Sequence, residues 1–232
     1  MRAPASASEV SAIVPTYREA SRIGATVRAL RDVCDEVIVC DAQSPDGSAG
    51  QARAAGATVV SVETPGRGAQ LNAGAAVAGG ATLVFVHADT TIPKGFRAAI
   101  DDALSDPCVV GGNFRLRFWP PSCAARGFTF ANDLRRRWFD IYYGDSCIFV
   151  RTEVFRRLGG FPPSPILEDY AFVRALEALG PTAYITSCEV RSSARRFADH
   201  PWRTLALWTF LQAAYGVGVD PHRLAALYRH VR

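Results

Sequence analysis

The apolar positions of the first hundred residues switch between two periods. Short, mostly apolar runs stand at Ser11-Ala12-Ile13-Val14, Glu36-Val37-Ile38-Val39-Cys40, Thr58-Val59-Val60-Ser61-Val62 and Thr82-Leu83-Val84-Phe85-Val86. Between them the spacing becomes helical: Ile23, Val27 and Leu30, then Ser48 to Ala55, then the Ala-rich stretch Ala69 to Ala78 with Leu71 and Val77, then Phe96 to Leu104. Strands alternating with helices of this length predict βαβ units, and so an α/β fold with a parallel sheet. The strands are apolar throughout rather than alternating, which fits a sheet covered on both faces. In such sheets ligands bind beyond the carboxyl ends of the strands. The polar residues just after each strand are therefore the candidates for chemistry.

Those residues are Pro15-Thr16-Tyr17-Arg18-Glu19 after the first strand and Asp41-Ala42-Gln43-Ser44-Pro45-Asp46-Gly47-Ser48 after the second. After the third comes Gly66-Arg67-Gly68-Ala69-Gln70-Leu71-Asn72, and after the fourth His87-Ala88-Asp89-Thr90. Each has an ordinary explanation alone. Asp46-Gly47 is a turn pair, Asp46 or Ser48 can cap the next helix, and Asp89 can cap a turn before Pro93. Four such groups meeting at one sheet edge point instead to a binding site. Gly66-Arg67-Gly68 is not a dinucleotide fingerprint, because Leu71 stands where the third glycine is needed and the motif does not follow the first strand. No phosphate-binding GxxxxGK[ST] loop and no GxSxG elbow occurs in the sequence.

Composition narrows the class without naming it. The 232 residues suffice for one large domain or two small ones with a proper core. At 49% hydrophobic and 21% charged, the chain is neither a disordered tail, a coiled coil nor collagen. A net charge of +4 suits anionic ligands or an anionic membrane surface, but is too mild to imply nucleic acid. Lys94 is the single lysine, so the basic residues are nearly all arginine, whose planar fork favours phosphate. Cys34, Cys40, Cys108, Cys123, Cys147 and Cys188 form no CxxC pair and no zinc-ligand spacing. Buried free thiols in a reducing compartment are expected. Met1 to Glu9 carries no apolar stretch of a secretory signal, and no run of about 18 apolar residues occurs, so a cytoplasmic protein is expected.

The second half carries further acids and arginines. Glu168-Asp169 follows Pro162-Pro163-Ser164-Pro165 and opens a helical pattern with Phe172, Val173 and Leu176. Acids there complement a helix N-terminus whatever else they do. Asp145 precedes the apolar run Cys147-Ile148-Phe149-Val150, again at a strand boundary. Arg135-Arg136-Arg137 reads as a solvated helix face, with no stacking platform for nucleic acid. Arg195-Arg196 is either a surface pair or a closing contact on an anion. Pro201 to Val219, with Trp202, Leu205, Leu207, Trp208, Phe210, Leu211 and Tyr215, is too short and too interrupted to span a bilayer. It is either core or homodimer contact, or an interfacial helix in peripheral contact with a membrane.

The order of these motifs resembles the family 2 glycosyltransferases of GT-A fold. The likeness rests on PTYxE, Asp-x-x-Ser-x-Asp-Gly, Gly-Arg-Gly-x-x-x-Asn-x-Gly, a DxD-type site, then Gly159-Gly160-Phe161 and Glu168-Asp169, over residues 10 to 196. Gly111 to Phe118, Tyr143-Gly144-Asp145 and Ser193-Ala194-Arg195-Arg196 look like a compact soluble bacterial subgroup linked to arsenosugar biosynthesis. The resemblance implies a Rossmann-like, mostly parallel sheet flanked by helices, with a helical C-terminal segment. It implies residues 1–9 as a flexible N-terminus and 10–200 as the catalytic domain. That domain would have a nucleotide half at about 10–105 and an acceptor half at about 106–200, followed by a helical extension at 201–232. The implied activity is inverting transfer, of hexosyltransferase type, from a nucleotide-diphosphate sugar, commonly UDP-linked. The acceptor, unidentified by the motifs, would be a small or lipid-like molecule, and the expected location is the cytoplasm or the inner membrane face.

The resemblance also distributes roles. Pro15, Thr16 and Glu19 would line the nucleotide pocket, Asp41 would accept from the base, and Arg67 would lie near the base or phosphates. Asn72, His87, Asp145, Arg195 and Arg196 belong to the donor side. Asp89 would hold Mg²⁺ or Mn²⁺, hard cations that prefer carboxylate oxygen. Asp169, with Glu168 beside it, would take the acceptor's proton. His87 stands where the usual motif has its first acid, and can ligate, contact the ribose or pack. Arg18 replaces a common Asn and Ala42-Gln43 a more usual pair, which leaves the base identity open. Two other classes stand beside this one. A sugar nucleotidyltransferase would carry a Gly-rich loop after strand one, where Pro15-Thr16-Tyr17 stands. A non-catalytic nucleotide-sugar-binding protein would be marked by loss of Asp89 or Asp169.

Overall fold

A computed structural model describes residues 9–63, 66–197 and 200–229, with the side chains of Arg196, Phe197 and Arg229 outside the described part. The expected flexible segment 1–9 therefore lies, apart from Glu9, outside the described residues. The elements run β1 (Val10–Thr16), α1 (Ala20–Arg31), β2 (Glu36–Asp41), α2 (Ser48–Ala54), β3 (Thr58–Ser61), α3 (Arg67–Val77), β4 (Thr82–Phe85) and α4 (Phe96–Ala103). They continue with β5 (Gly111–Trp119), α5 (Cys123–Phe139), β6 (Phe149–Arg151), α6 (Thr152–Leu158), α7 (Glu168–Glu177), β7 (Thr182–Ser193), α8 (Pro201–Gly216) and α9 (Pro221–Arg229). All eight elements expected in the first half form, with ends shifted by one or two residues.

One sheet of seven strands runs through the molecule in the order β3-β2-β1-β4-β6-β5-β7. β1 to β4 are mutually parallel, β6 lies antiparallel to both β4 and β5, and β5 pairs parallel with β7. The sheet buries both faces, which explains the continuous apolar runs. In β1, Ala12 and Val14 join one core with Ile23, Val27, Phe96 and Phe114, while Ile13 points into the other with Leu71, Phe85 and Phe172. α1, α2 and α4 thus cover one face, and α3, α6 and α7 the other. Gly74 sets the closeness of that second layer. A Cβ there would lie 2.5 Å from Ile13 Cγ2 and 2.6 Å from Cys40 Sγ, so α3 rests directly on β1 and β2.

The second half departs from the expectations in three places. Arg136 is not on a solvated face. It is 4% exposed, donates to Asn113 Oδ1 at 2.7 Å and to Thr182, and stacks over Tyr142 at 4.6 Å. The cause is position, since Arg136 continues the inward stripe of Ala125 and Phe128, and its guanidinium finds acceptors in Asn113, Asp140 and Thr182. Of the cysteines, Cys34, Cys40 and Cys147 are buried as expected, but Cys108 and Cys123 are exposed. Burial pushes the Cys34 and Cys40 thiols up to about 12. α8 divides its apolar residues: Leu205, Trp208 and Leu211 pack inward, while Trp202 and Phe210 face solvent. Among the described residues no helix is long and apolar enough to cross a membrane.

Candidate active site

The parallel strands end together, as the βαβ pattern requires, and their register brings the predicted residues side by side. Thr16 pairs with Asp41, and Asp41 with Ser61. Pro15 and Thr16 close β1, and Thr16 and Asp41 are 1% and 3% exposed. Asp41 Oδ2 accepts from the Ser44 amide at 2.8 Å, whereas Asp41 Oδ1 and Thr16 Oγ1 are buried with no protein partner. Two orphaned polar atoms at one strand edge are what a site with a missing hydrogen-bonding ligand looks like. Gln70, which the sequence reading passed over, ties this edge from α3. Its Nε2 donates to the carbonyls of Thr16 (2.9 Å) and Cys40 (2.8 Å). Its place one turn into α3, on the face of Gly74, is the signal that could have found it.

The Asp41–Ser48 loop takes over the capping of α1. Ser48 Oγ accepts from Glu19 N at 2.9 Å, Asp46 Oδ2 from Ala20 N at 3.1 Å, and Ser44 Oγ from Arg18 N at 3.0 Å. These bonds satisfy orphan amides of the helix start. The ordinary reading therefore holds for Asp46, whose carboxyl is held below its usual pKa by Ser48 first and by the Ala20 amide after it.

Arg67 opens α3 and gathers the acids of α7. Its Nε lies 2.5 Å from Glu168 Oε1, its Nη2 2.9 Å from Asp169 Oδ2, and its Nη1 3.4 Å from His87 Nε2. Burial works against the guanidinium's charge, but Asp169 and Glu168 outweigh it, and Asp145 adds to the same field, so its pKa stands above the usual arginine value. Burial raises the pKa of Glu168, and Asp169 raises it further, against the pull of Arg67. Asp169 Oδ2 also accepts from Gly144 N at 2.8 Å, and Oδ1 from Tyr170 N at 2.8 Å. The approach is close at Gly144, where a Cβ would lie 3.3 Å from both Asp169 Oδ2 and His87 Nε2 and press on both side chains. Asp145 follows it in a 3-10 turn, Gly144–Ser146, rather than on the strand itself, and lines a small cavity with Asn113, Arg136, Tyr143 and Tyr184.

Asn72 does something other than the donor contact expected of it. Its Nδ2 donates to Phe161 O at 2.8 Å and its Oδ1 accepts from Phe161 N at 2.8 Å, so both ends of the amide hold the Gly159-Gly160-Phe161 turn against α3. With those bonds made, the side chain has its polar ends turned to the chain and not to a ligand.

The third group joins the ends of β1 and β4 to the segment after β7. Arg195 Nη2 lies 2.5 Å from Glu19 Oε1 and 3.2 Å from Asp89 Oδ2. Glu19 also pairs with Arg22 at 3.1 Å. The Arg196 side chain, expected beside it, lies outside the described residues. Among the described residues no group of three or more His, Cys, Asp or Glu side chains is arranged to hold a metal ion by itself. His87, two residues before Asp89, lies beside Arg67 through its Nε2. Thr16 and Asp41, the Arg67 clamp, and Glu19 with Asp89 thus share one sheet edge, linked through α3 and the β4 end.

The family model described as Glycosyl transferase family 2 matches residues 11–159. The chain belongs to glycosyl transferase family 2. The match stops short of Glu168 and Asp169, so their neighbourhood is known from the geometry above. Among curated proteins no sequence matches the chain. Among solved structures it is similar to a mannosyltransferase from Pyrobaculum calidifontis in complex with GDP-Man and Mn²⁺. That likeness has 22% identity and a TM-score of 0.68, and covers 92% of this chain and 66% of that one. It is also similar to glucosyl-3-phosphoglycerate synthase from Mycobacterium tuberculosis, in complex with Mn²⁺, UDP-glucose and phosphoglyceric acid. There the identity is 20% and the TM-score 0.63, over 83% of this chain and 74% of that one. Mannosyl-3-phosphoglycerate synthase from Rubrobacter xylanophilus gives 18% identity and a TM-score of 0.58, over 92% and 76%. These likenesses show that this member of the family has the GT-A fold.

Proposed function

We propose that this family 2 protein is an inverting glycosyltransferase, moving a hexose from a UDP-type nucleotide sugar to a hydroxyl of a small or lipid-like acceptor. The observation that carries the reading is the buried pair Glu168-Asp169, clamped by Arg67 beside the β4 end that bears His87 and Asp89. The orphaned Thr16 Oγ1 and Asp41 Oδ1 supply the nucleotide end, where a carboxylate can accept from an imide or amino group. The neighbours from Mycobacterium tuberculosis and Pyrobaculum calidifontis bind UDP-glucose and GDP-Man with Mn²⁺, which supports a nucleotide sugar and a divalent ion here.

The donor set fits such an ion, because the oxygens of Glu19 and Asp89 already converge on one cationic nitrogen. Asp89 would hold Mg²⁺ or Mn²⁺ with phosphate oxygens and water completing the shell. When bound, the ion neutralises charge on the departing diphosphate. The chain's own residues do the rest. Asp169 lies in the first turn of α7, at the positive end of the helix dipole. A carboxylate has about four lone-pair sites, and Arg67, Gly144 and Tyr170 occupy three, leaving one for the acceptor hydroxyl. The hydroxyl oxygen attacks the anomeric carbon on the face opposite the diphosphate, its proton passes to Asp169, and the anomeric C–O bond breaks with its electron pair leaving on the diphosphate.

The test measures transfer and donor binding in the same variants. Asp169→Asn keeps the size of the side chain and removes its basicity, so transfer should fall by about 10² or more with donor affinity unchanged. Transfer at the wild-type rate removes Asp169 from the role. Loss in Glu168→Gln alone passes the role to Glu168.

A further inference from the structure

The ion pair made by Arg195 is unusual in that a single nitrogen serves two carboxylates from two strand ends. Nη2 is 2.5 Å from Glu19 Oε1, after β1, and 3.2 Å from Asp89 Oδ2, after β4, while Arg195 itself comes from the 3-10 turn Ala194–Phe197 after β7. Two carboxylates brought to one point repel unless a cation or a shared proton lies between them, and here the guanidinium supplies the cation. The guanidinium therefore stands where a divalent ion would gain most. It is not buried there: the Arg195 side chain is 41% exposed, so it can leave without losing a packed position. Glu19 would not be stranded by its departure, since Arg22 Nη1 holds Glu19 Oε2 at 3.1 Å.

We propose that Arg195 is a built-in competitor for the metal, making metal binding depend on the nucleotide. The inference rests on the reading of Asp89 as the metal-holding residue. Without nucleotide, Arg195 neutralises Glu19 and Asp89. A free divalent ion must then displace a cation already in place, while giving up tightly held water. A metal ion arriving with a nucleoside diphosphate brings its own replacement partner. The phosphate oxygens offer the guanidinium fork a match at least as good as the carboxylates it leaves. Arg195 thus changes sides, from the carboxylates to the diphosphate. By linkage, metal and nucleotide must each strengthen the other's binding by the same factor.

The experiment titrates Mn²⁺ into the whole chain and reads the free ion by electron paramagnetic resonance, with and without UDP. Arg195→Gln should bind Mn²⁺ alone about fivefold more tightly than wild type, the range set by one partly exposed ion pair. The enhancement of Mn²⁺ affinity by UDP should shrink in the same variant. Arg22→Gln removes an equal charge from Glu19 without touching Asp89, and should leave the Mn²⁺ affinity within twofold of wild type. Unchanged Mn²⁺ affinity in Arg195→Gln overturns the proposal, and so does an equal gain in Arg22→Gln, which would mean only a general change of field. Asp89→Asn separates the two levels of the argument. It should abolish Mn²⁺ binding. If it does while Arg195→Gln changes nothing, the metal reading stands and the competitor falls. If Asp89→Asn binds Mn²⁺ as before, the metal reading is wrong and the proposal goes with it.

Discussion

Replacing Arg67 tests the electrostatic centre of the site. Arg67→Met keeps the aliphatic stem and removes the guanidinium, leaving Glu168 and Asp169, 5% and 6% exposed, facing each other without their shared cation. Breaking a buried pair by removing one partner costs about 3–5 kcal/mol. Arg67 itself is 30% exposed, so solvent screens part of the interaction and about 2–3 kcal/mol is the fitting figure. The sign with pH follows from Glu168. Its folded pKa is already raised, by burial first, so its neutral form stabilises the fold and that stability fades as pH rises through the folded pKa. Removing Arg67 takes away a cause that lowers this pKa, so the pKa rises further. The penalty should therefore be full near pH 8 and shrink toward pH 5, as Glu168 takes up a proton. Urea unfolding followed by tryptophan fluorescence should show a midpoint lower by about 1 M at pH 8 and by much less at pH 5. Adding Glu168→Gln to Arg67→Met should recover part of the loss, an interaction that a double-mutant cycle isolates. A penalty independent of pH, or no recovery in the double variant, would refute the clamp as a charge interaction.

Three further outcomes are expected. Asn72→Ala should lower stability by about 2 kcal/mol through its two lost bonds to Phe161, yet leave UDP affinity unchanged; urea midpoints and calorimetric titration check the two halves. On the proposed reading that Asp41 accepts from the base, Asp41→Ala should weaken binding of UDP and flatten the preference among nucleoside diphosphates, read by thermal shift across a panel. Gly74→Ala should cost about 1–3 kcal/mol, since its Cβ would enter the space of Ile13 and Cys40 and α3 must move off the sheet; a wild-type unfolding midpoint would show that the layer is looser than described.

The residues toward the N-terminus determined much of this protein by themselves. Continuous apolar runs alternating with helical spacing can bury both faces of a sheet only as βαβ units, so β1 to β4, α1 to α4 and the location of a polar edge were legible. Motif order was enough to place the chain among family 2 glycosyltransferases, and Glu168-Asp169 was legible as the opening of a helix because α7 begins there. β5 was legible in principle, since Phe114, Leu116 and Phe118 alternate inward with Arg115 and Arg117, but a period of two in a chain read for continuous runs goes unmarked. What only the tertiary structure decided is pairing at long range. That Arg67 meets residues a hundred positions later, that Asn72 braces Phe161 instead of a ligand, and that Arg195 bridges Glu19 and Asp89 are consequences of which strand ends the sheet brings together. Arg136 makes the same point in the core. A charged residue reads as solvated until the packed helix turns it inward and supplies Asn113 and Thr182 to satisfy it, because local sequence sets a residue's chemistry while the fold sets its partners.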